Sequence, residues 1–315
     1  MTDTTRFPAI GLLLDDEAVL EAVAPRSTGV GTTARAALAR LVAHGVSFVV
    51  LGHRDPSSPR RVEPSVAAGE VARLHRDLGV VVAADPDRDH PYNLARRLLS
   101  IDSLTGGFAG LLLDPAPVAT PHARQTHWAG DVTRDDVAEY ADLVTTLWGT
   151  FARESLVGDR ATGLFARSEL LRRADHEGRW PVRGGLGTPS SVQGLPPVLW
   201  WAVDPSRGGG DVPAQADAAI VRHLSQTPVL PEYLLTDVAG VRRDLSTVSD
   251  GVVVRLRSGE WAAAVEAVLE ARPASTAPPA PSLRAALGLP PRSADISGLS
   301  PAFPAAAPTP QGVRS

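Results

Sequence analysis

"HPYNLARRLLSIDSLTGGFAGLLLDPA", residues 90–116, carries two periodicities in one short run. In its first half Leu94, Leu98 and Ile101 recur at threes and fours, the spacing of one helix face. Gly106 and Gly107 then stop the helix, as glycine does where the chain must turn through a left-handed conformation. In the second half Gly110–Leu113 is continuously apolar and closes on Asp114-Pro115. That is the pattern of a strand covered on both faces. A helix feeding a fully buried strand belongs to a βαβ repeat, and the polar run His90-Pro91-Tyr92-Asn93 stands at the helix's mouth.

The alternation extends in both directions. Upstream, Ala9–Asp15 is a short apolar run ending in acids, and Ala34–Gly45 is a helix with a glycine stop. Ser47–Asp55 is a β-branched run followed by polar residues. Glu63–Gly79 has Pro64 in its first turn, where a missing N–H costs nothing, and Val80–Asp87 is the next strand. Downstream, Thr133 and Asp136 have capping-box spacing. Val137, Tyr140, Val144, Leu147 and Phe151 then mark a long helix from Arg134 to Glu154. An irregular excursion follows, in which "HEGRWPVRG" (His176–Gly184) reads as a small hairpin. Leu195–Pro205 and Asp250–Leu256 read as strands, with a short apolar run at Asp217–Val221 between them, and Gly259–Arg272 reads as the last helix. From Pro273 the chain turns rich in Pro, Ala and Ser, the composition of an extended C-terminal wrap.

Six or seven strand-plus-helix units, with no Gly-rich fingerprint after the first strand, favour a (β/α)₈ TIM barrel over a doubly wound sheet. The expected organisation is one domain over residues 1–272, an insertion near 155–195 after the fourth helix, and an extension over 273–315. In such a barrel the loops after the strands form the active face. The polar residues at strand ends are Asp15, His53, Arg54, Asp85, Asp87, Asp114, Trp201, Asp204 and Ser206.

Composition narrows the chemistry. A chain of 315 residues with net charge -4 offers no electrostatic case for nucleic acid or an anionic membrane. The absence of cysteine removes disulfides, thiolate metal sites and cysteine nucleophiles. No His/Asp/Glu cluster has metal-ligand spacing, so no metal is expected. The opening run, with acids close behind a short apolar stretch, is unlike a signal peptide, and no apolar stretch is long enough to cross a bilayer. A soluble, cytoplasmic protein is expected.

Three blocks carry a family likeness. Leu78–Gly110, with "PYNLARR" and "SIDSLTGG", resembles the bacterial luciferase-like, flavin-dependent monooxygenases. Within them it looks most like the branch of nitrilotriacetate and dibenzothiophene-sulfone monooxygenases. Glu139–Val198, with "EYADLVTTLW", "LVGDRATGLFA" and "DHEGRWPVRGGLGTPSSVQGLPPV", resembles the same branch's long helix and insertion, and Ser282–Arg292, "SLRAALGLPPR", resembles its C-terminal segment. The resemblance implies a TIM barrel, reduced FMN delivered by a separate flavin reductase, O₂ as co-substrate, a small-molecule substrate and a homodimer.

The likeness weakens where it implies flavin contacts. It implies a threonine where this chain has Ala83, an amide where it has Leu112, and an Arg-Tyr pair where it has Thr133-Arg134. The phosphate loop it implies is replaced by Asp204-Pro205-Ser206-Arg207-Gly208-Gly209-Gly210. Clustered N–H groups with one cation still suit a phosphate. The candidate catalytic residues are therefore His53 and His90. The candidate cofactor contacts are Asp85, Asp114, Trp201, Ser206, Arg207, Gly208 and Gly209. Each has a plain structural alternative: a satisfied histidine, a helix-entrance residue, an Asx-Pro turn, a packed indole or a surface loop. Two other functions fit the same residues. One is a luciferase-like paralogue that binds flavin weakly or not at all and serves as a partner or flavin-sequestering protein. The other is an oxidoreductase using a deazaflavin.

Overall fold

The computed structural model describes residues 7–24, 29–53, 62–84, 86–114, 132–203, 212–226, 228–272 and 280–303. Eight parallel strands close into a barrel. In chain order the first four are β1 (Ala9–Leu14), β2 (Val46–Leu51), β3 (Gly79–Ala83) and β4 (Ala109–Leu113). The insertion contributes β5 (Leu156–Asp159), β6 (Leu164–Ala166), β7 (Arg172–His176) and β8 (Val182–Gly184). The barrel resumes with β9 (Val198–Ala202), β10 (Ala218–Val221), β11 (Glu232–Asp237) and β12 (Gly251–Leu256). Round the barrel the order is β1-β12-β11-β10-β9-β4-β3-β2. The expected TIM barrel is therefore found.

Strand β11 escapes the pattern reading. Pro231 precedes it, and Glu232 and Thr236 break its apolar run. Both polar side chains are matched: Ser225 N–H donates to Glu232 at 2.7 Å, and the Thr236 hydroxyl donates to Asp244 at 2.5 Å. Pairing on both edges holds the strand in the sheet despite its composition.

Helices cover the barrel unevenly. Helices α1 (Asp16–Val23) and α2 (Gly29–Ala43) follow β1, α3 (Pro64–Leu74) follows β2, α4 (Pro91–Thr105) follows β3 and α5 (Arg134–Gly149) follows β4. After β11 comes only the short α6 (Val241–Leu245), and after β12 comes α7 (Trp261–Ala271). Among the described residues no helix joins β9 to β10 or β10 to β11. Sequence reading misses α1, whose N-cap is the strand-end residue Asp15 accepting from Ala18 N–H at 2.7 Å. The Thr133/Asp136 capping box is present on α5. That helix ends at Gly149, where Ala294 and Ile296 pack against the bare glycine. The hairpin is also present, with His176 opposite Val182.

The strands' two-residue alternation sorts the core into two shells. Trp200 packs outward between barrel and helices, and Trp201 packs into the lumen. At the N-terminal mouth the lumen is stoppered by α8 (Leu283–Ala286) and the turn after it. Leu283, Leu287 and Leu289 lie among Phe48, Phe108 and Tyr233. The Tyr233 hydroxyl donates to the Leu287 carbonyl at 2.9 Å. Gly79 and Gly110 make room for Leu283, since a Cβ on either would press on its methyls. The Pro/Ala-rich extension thus contains a core-forming segment. Strand β13 (Ser300–Pro301) then pairs with β7 of the insertion.

Candidate active site

With the N-terminal mouth stoppered, access to the lumen is from the C-terminal ends of the strands. His53 follows β2 by two residues, Asp114 follows β4 directly, and Trp201 is the penultimate residue of β9. These ends are far apart in sequence, yet the barrel brings them together. The His53 ring lies on the Trp201 indole with centroids 3.7 Å apart and planes tilted by 33°. His53 Nε2 is 3.4 Å from Asp114 Oδ2, and both side chains are about six-sevenths buried. The contact is within ion-pair range but not aligned as a hydrogen bond, so Nε2 is buried with no hydrogen-bond partner among the described residues.

The floor beneath this cluster is aliphatic. Ala83, Leu112, Leu13 and Val203 are all buried in the lumen shell. Leu112 is fully buried, so it reaches a ligand only through the residues above it. Beside Ala83 a cavity of about 550 Å³ opens between α3 and α4, bounded by Arg88, Asp89 and Arg97. Arg97 is paired with Asp89, whose carbonyl accepts from the Tyr140 hydroxyl at 3.1 Å.

His90 stands apart from the cluster. It is the N-cap of α4, its Nδ1 accepting from Tyr92 N–H at 3.3 Å, with Pro91 in the first turn. The polar run at the helix mouth is therefore a cap plus a clasp: the Tyr92 hydroxyl donates to the Gly185 carbonyl of the insertion at 3.4 Å. Asp85, Ser206, Arg207, Gly208 and Gly209 lie outside the described residues. Sequence reading also misses arginines on the other half of the mouth, at the ends of β10 and β12. Arg222 follows β10, Arg255 lies on β12 and Arg257 follows it. Only the sheet register shows that Arg255 has the inward parity of Val253.

The family-like motifs meet elsewhere, on the flank below. Asp102 of "SIDSLTGG" is completely buried and accepts from Ser191 Oγ at 2.6 Å, Gln193 Nε2 at 2.7 Å and Ala109 N at 3.3 Å. Burial pushes its carboxyl above the usual aspartate range, and these three hydrogen bonds only partly oppose that. Gln193 in turn accepts from Arg284 N–H at 3.0 Å. The Arg284 guanidinium forks onto Asp217 with two bonds of 2.9 Å. Three separated sequence blocks thus form one buried structural lock.

Comparison with known proteins agrees with this architecture. Over 149 residues the chain is 30% identical to a dibenzothiophene-sulfone monooxygenase of Rhodococcus erythropolis, covering 46% of this chain and 33% of the relative. Over 183 residues it is 30% identical to one of the subunits of pristinamycin IIA synthase of Streptomyces pristinaespiralis, covering 58% and 61%. Over 189 residues it is 27% identical to nitrilotriacetate monooxygenase component A of Aminobacter aminovorans, covering 58% and 41%. Over about half of its length the chain is similar to proteins named as monooxygenases. It spans between a third and three fifths of the length of these relatives. No protein-family model matches. In fold, the chain is similar to an EDTA monooxygenase from Chelativorans sp. BNC1, with a TM-score of 0.63 at 16% identity over 90% of this chain and 99% of that one. It is also similar to a long-chain alkane monooxygenase, with a TM-score of 0.56 at 14% identity over 80% and 64%.

Proposed function

We propose that the chain is a flavin-dependent monooxygenase that oxidises a small organic molecule, with reduced FMN supplied by a separate reductase and O₂ as co-substrate. The observation that carries this reading is the strand-end cluster, in which a buried imidazole nitrogen at the mouth has no hydrogen-bond partner among the described residues. Such a group costs about 1–3 kcal/mol unless a ligand satisfies it. The residues fit a planar heteroaromatic ring along one edge: a ring nitrogen at His53, aromatic surface at His53 and Trp201, and apolar lumen below. Ala83 and Leu112 add no polar partner. Each flavin ring carbonyl or N–H left unmatched there weakens binding by about 1–3 kcal/mol, tenfold to a hundredfold. The reading therefore includes weak FMN affinity and a colourless purified protein.

When bound, reduced FMN supplies the two electrons with which one oxygen atom of O₂ enters the substrate and the other becomes water. The chain's own side chains position and shield. Asp114 stands 3.4 Å from His53 Nε2, and that nitrogen is placed to hydrogen-bond a polar atom of the substrate or cofactor. Trp201 backs the imidazole and closes the lumen to water. His90 is assigned to capping rather than catalysis. The loop of Ser206, Arg207, Gly208 and Gly209, close after Trp201 in sequence, is suited to the FMN phosphate, and Asp85, close after Ala83 in sequence, to a cofactor contact. The relatives' names, which include a sulfone monooxygenase and a nitrilotriacetate monooxygenase, favour oxygen transfer to a small organic molecule.

We further place the protein in the cytoplasm as a homodimer through α3 and α4, where Val66 and Leu104 are 71% and 86% exposed. Among the described residues no helix is long and apolar enough to cross a membrane. The buried aliphatic pair Ala83 and Leu112 favours one second reading, a paralogue that sequesters flavin without turning it over. Titration with oxidised and reduced FMN, followed by flavin fluorescence and absorbance, tests the main reading. Saturable binding of reduced FMN that weakens in His53→Ala is expected. No binding of either redox form overturns it, and stoichiometric yellow protein on purification overturns the weak-site argument.

A further inference from the structure

Among the described residues no helix joins β10 to β11, and Leu234 of β11, which packs on the outer shell, is only half-buried there. A cavity of about 580 Å³ lies beside it, at the C-terminal ends of β10, β11 and β12. Its lining is cationic: Arg222, Arg243, Arg255 and Arg257 against Asp237 and Asp244. In a chain of net charge -4 this is a local reversal of sign.

The two carboxylates are already engaged. Asp237 Oδ1 accepts from Gly240 N–H at 2.8 Å. Asp244 accepts from Arg243 Nε at 2.9 Å and from the Thr236 hydroxyl at 2.5 Å. Arg243 is thereby occupied as well. The guanidiniums of Arg222 and Arg257 meet no acceptor among the described residues, and they stand on the ends of neighbouring parts of one barrel mouth. Arg255 lies on β12, paired in register with Asp237 on one side and Leu13 on the other. Guanidinium groups converging on a concavity match the oxygens of a phosphate or carboxylate, which accept paired N–H bonds. In barrels of this kind the loops after the seventh and eighth strands, here β11 and β12, are a recurrent place for such a group.

We propose that this cavity binds a small oxyanion of two or more charges through Arg222 and Arg257. The cavity is lined from β10, β11 and β12 and the residues after them, and its anion binding does not depend on the flavin reading. Two sources present this chemistry, the phosphate of a flavin nucleotide and an anionic substrate.

The probe is inorganic pyrophosphate, titrated calorimetrically into the full chain at low ionic strength. Saturable binding is expected, weakened about tenfold by Arg222→Ser and by Arg257→Ser, since each removes a charge-assisted hydrogen bond. The variants' circular dichroism should match the parent's, and added salt should weaken binding. Arg160→Ser, an exposed arginine on the insertion, should leave binding unchanged. Absence of binding at millimolar pyrophosphate overturns the proposal, as does an equal loss in Arg160→Ser. FMN and riboflavin then serve as competitors. Displacement by FMN alone assigns the site to the flavin phosphate, and displacement by neither assigns it to an anionic substrate. Equal displacement by both overturns an oxyanion site, because riboflavin carries no phosphate.

Discussion

His53, Asp114 and Trp201 were legible one by one, because each closes an apolar run, where a parallel barrel places its functional side chains. Their mutual contact was not legible, since it depends on which strands become neighbours. No sequence pattern marks Arg222 and Arg257, which the barrel sets on one rim. Leu112, which departs from the family's amide, is fully buried in the lumen shell. Leu112→Asn therefore places an amide where the described neighbours are apolar and should destabilise the fold by about 1–3 kcal/mol or more, read as a lower urea midpoint. Gly11 is decided by space alone. A Cβ there would lie 2.3–2.7 Å from three ring atoms of the buried Phe48. Gly11→Ala should cost about 1–3 kcal/mol through overpacking, and the paired Gly11→Ala with Phe48→Leu should recover part of it.

At the scale of elements, the motifs that resemble a family join parts of the fold. The C-terminal turn of α4, the insertion and α8 meet through Asp102, Ser191, Gln193 and Arg284. No single-sequence pattern pairs these residues, because they are held together by burial and reciprocal hydrogen bonding across about 180 residues of chain. Arg284 is 2% exposed, so Arg284→Ala leaves Asp217 short of its forked partner. A loss of about 3–5 kcal/mol is expected in equilibrium denaturation, and Arg284→Lys should lose less because it keeps the charge. Asp102 adds a pH signature. Its folded pKa is raised by burial, so folding favours the protonated form. Its contribution is fully present below the unfolded value of about 4 and is lost as pH rises through the raised folded value. The stability of the parent relative to Asp102→Asn should accordingly fall across that window. A difference that rises with pH would show that the hydrogen bonds outweigh burial.

At the scale of the whole molecule, the barrel was legible from alternating apolar strands and amphipathic helices, but its closure was not. The seventh barrel strand, β11, is broken by polar residues, and the stopper of the lumen sits in a segment whose composition reads as a loose extension. Composition reports average hydrophobicity. Three leucines at the right spacing in "SLRAALGL" suffice to fill one mouth of a barrel, and the surrounding Pro and Ala hide them in the average. The structure makes that segment part of the core. Leu283, Leu287 and Leu289 are each at most 6% exposed. Withdrawing each should cost about 1.5–3 kcal/mol. The same cut removes Arg284 from Asp217 and the Leu287 carbonyl from the Tyr233 hydroxyl, leaving two buried polar groups short of partners. Together these losses rival the whole stability of a typical domain, about 5–15 kcal/mol. A chain ended after Arg272 should therefore lose its near-ultraviolet circular dichroism and its cooperative melt. The full-length double variant Leu287→Ala with Leu289→Ala should melt cooperatively at a lower temperature. A truncated chain that melts cooperatively at the parent's temperature would show that the barrel closes without its stopper, and that the C-terminal leucines merely cover a lumen already packed.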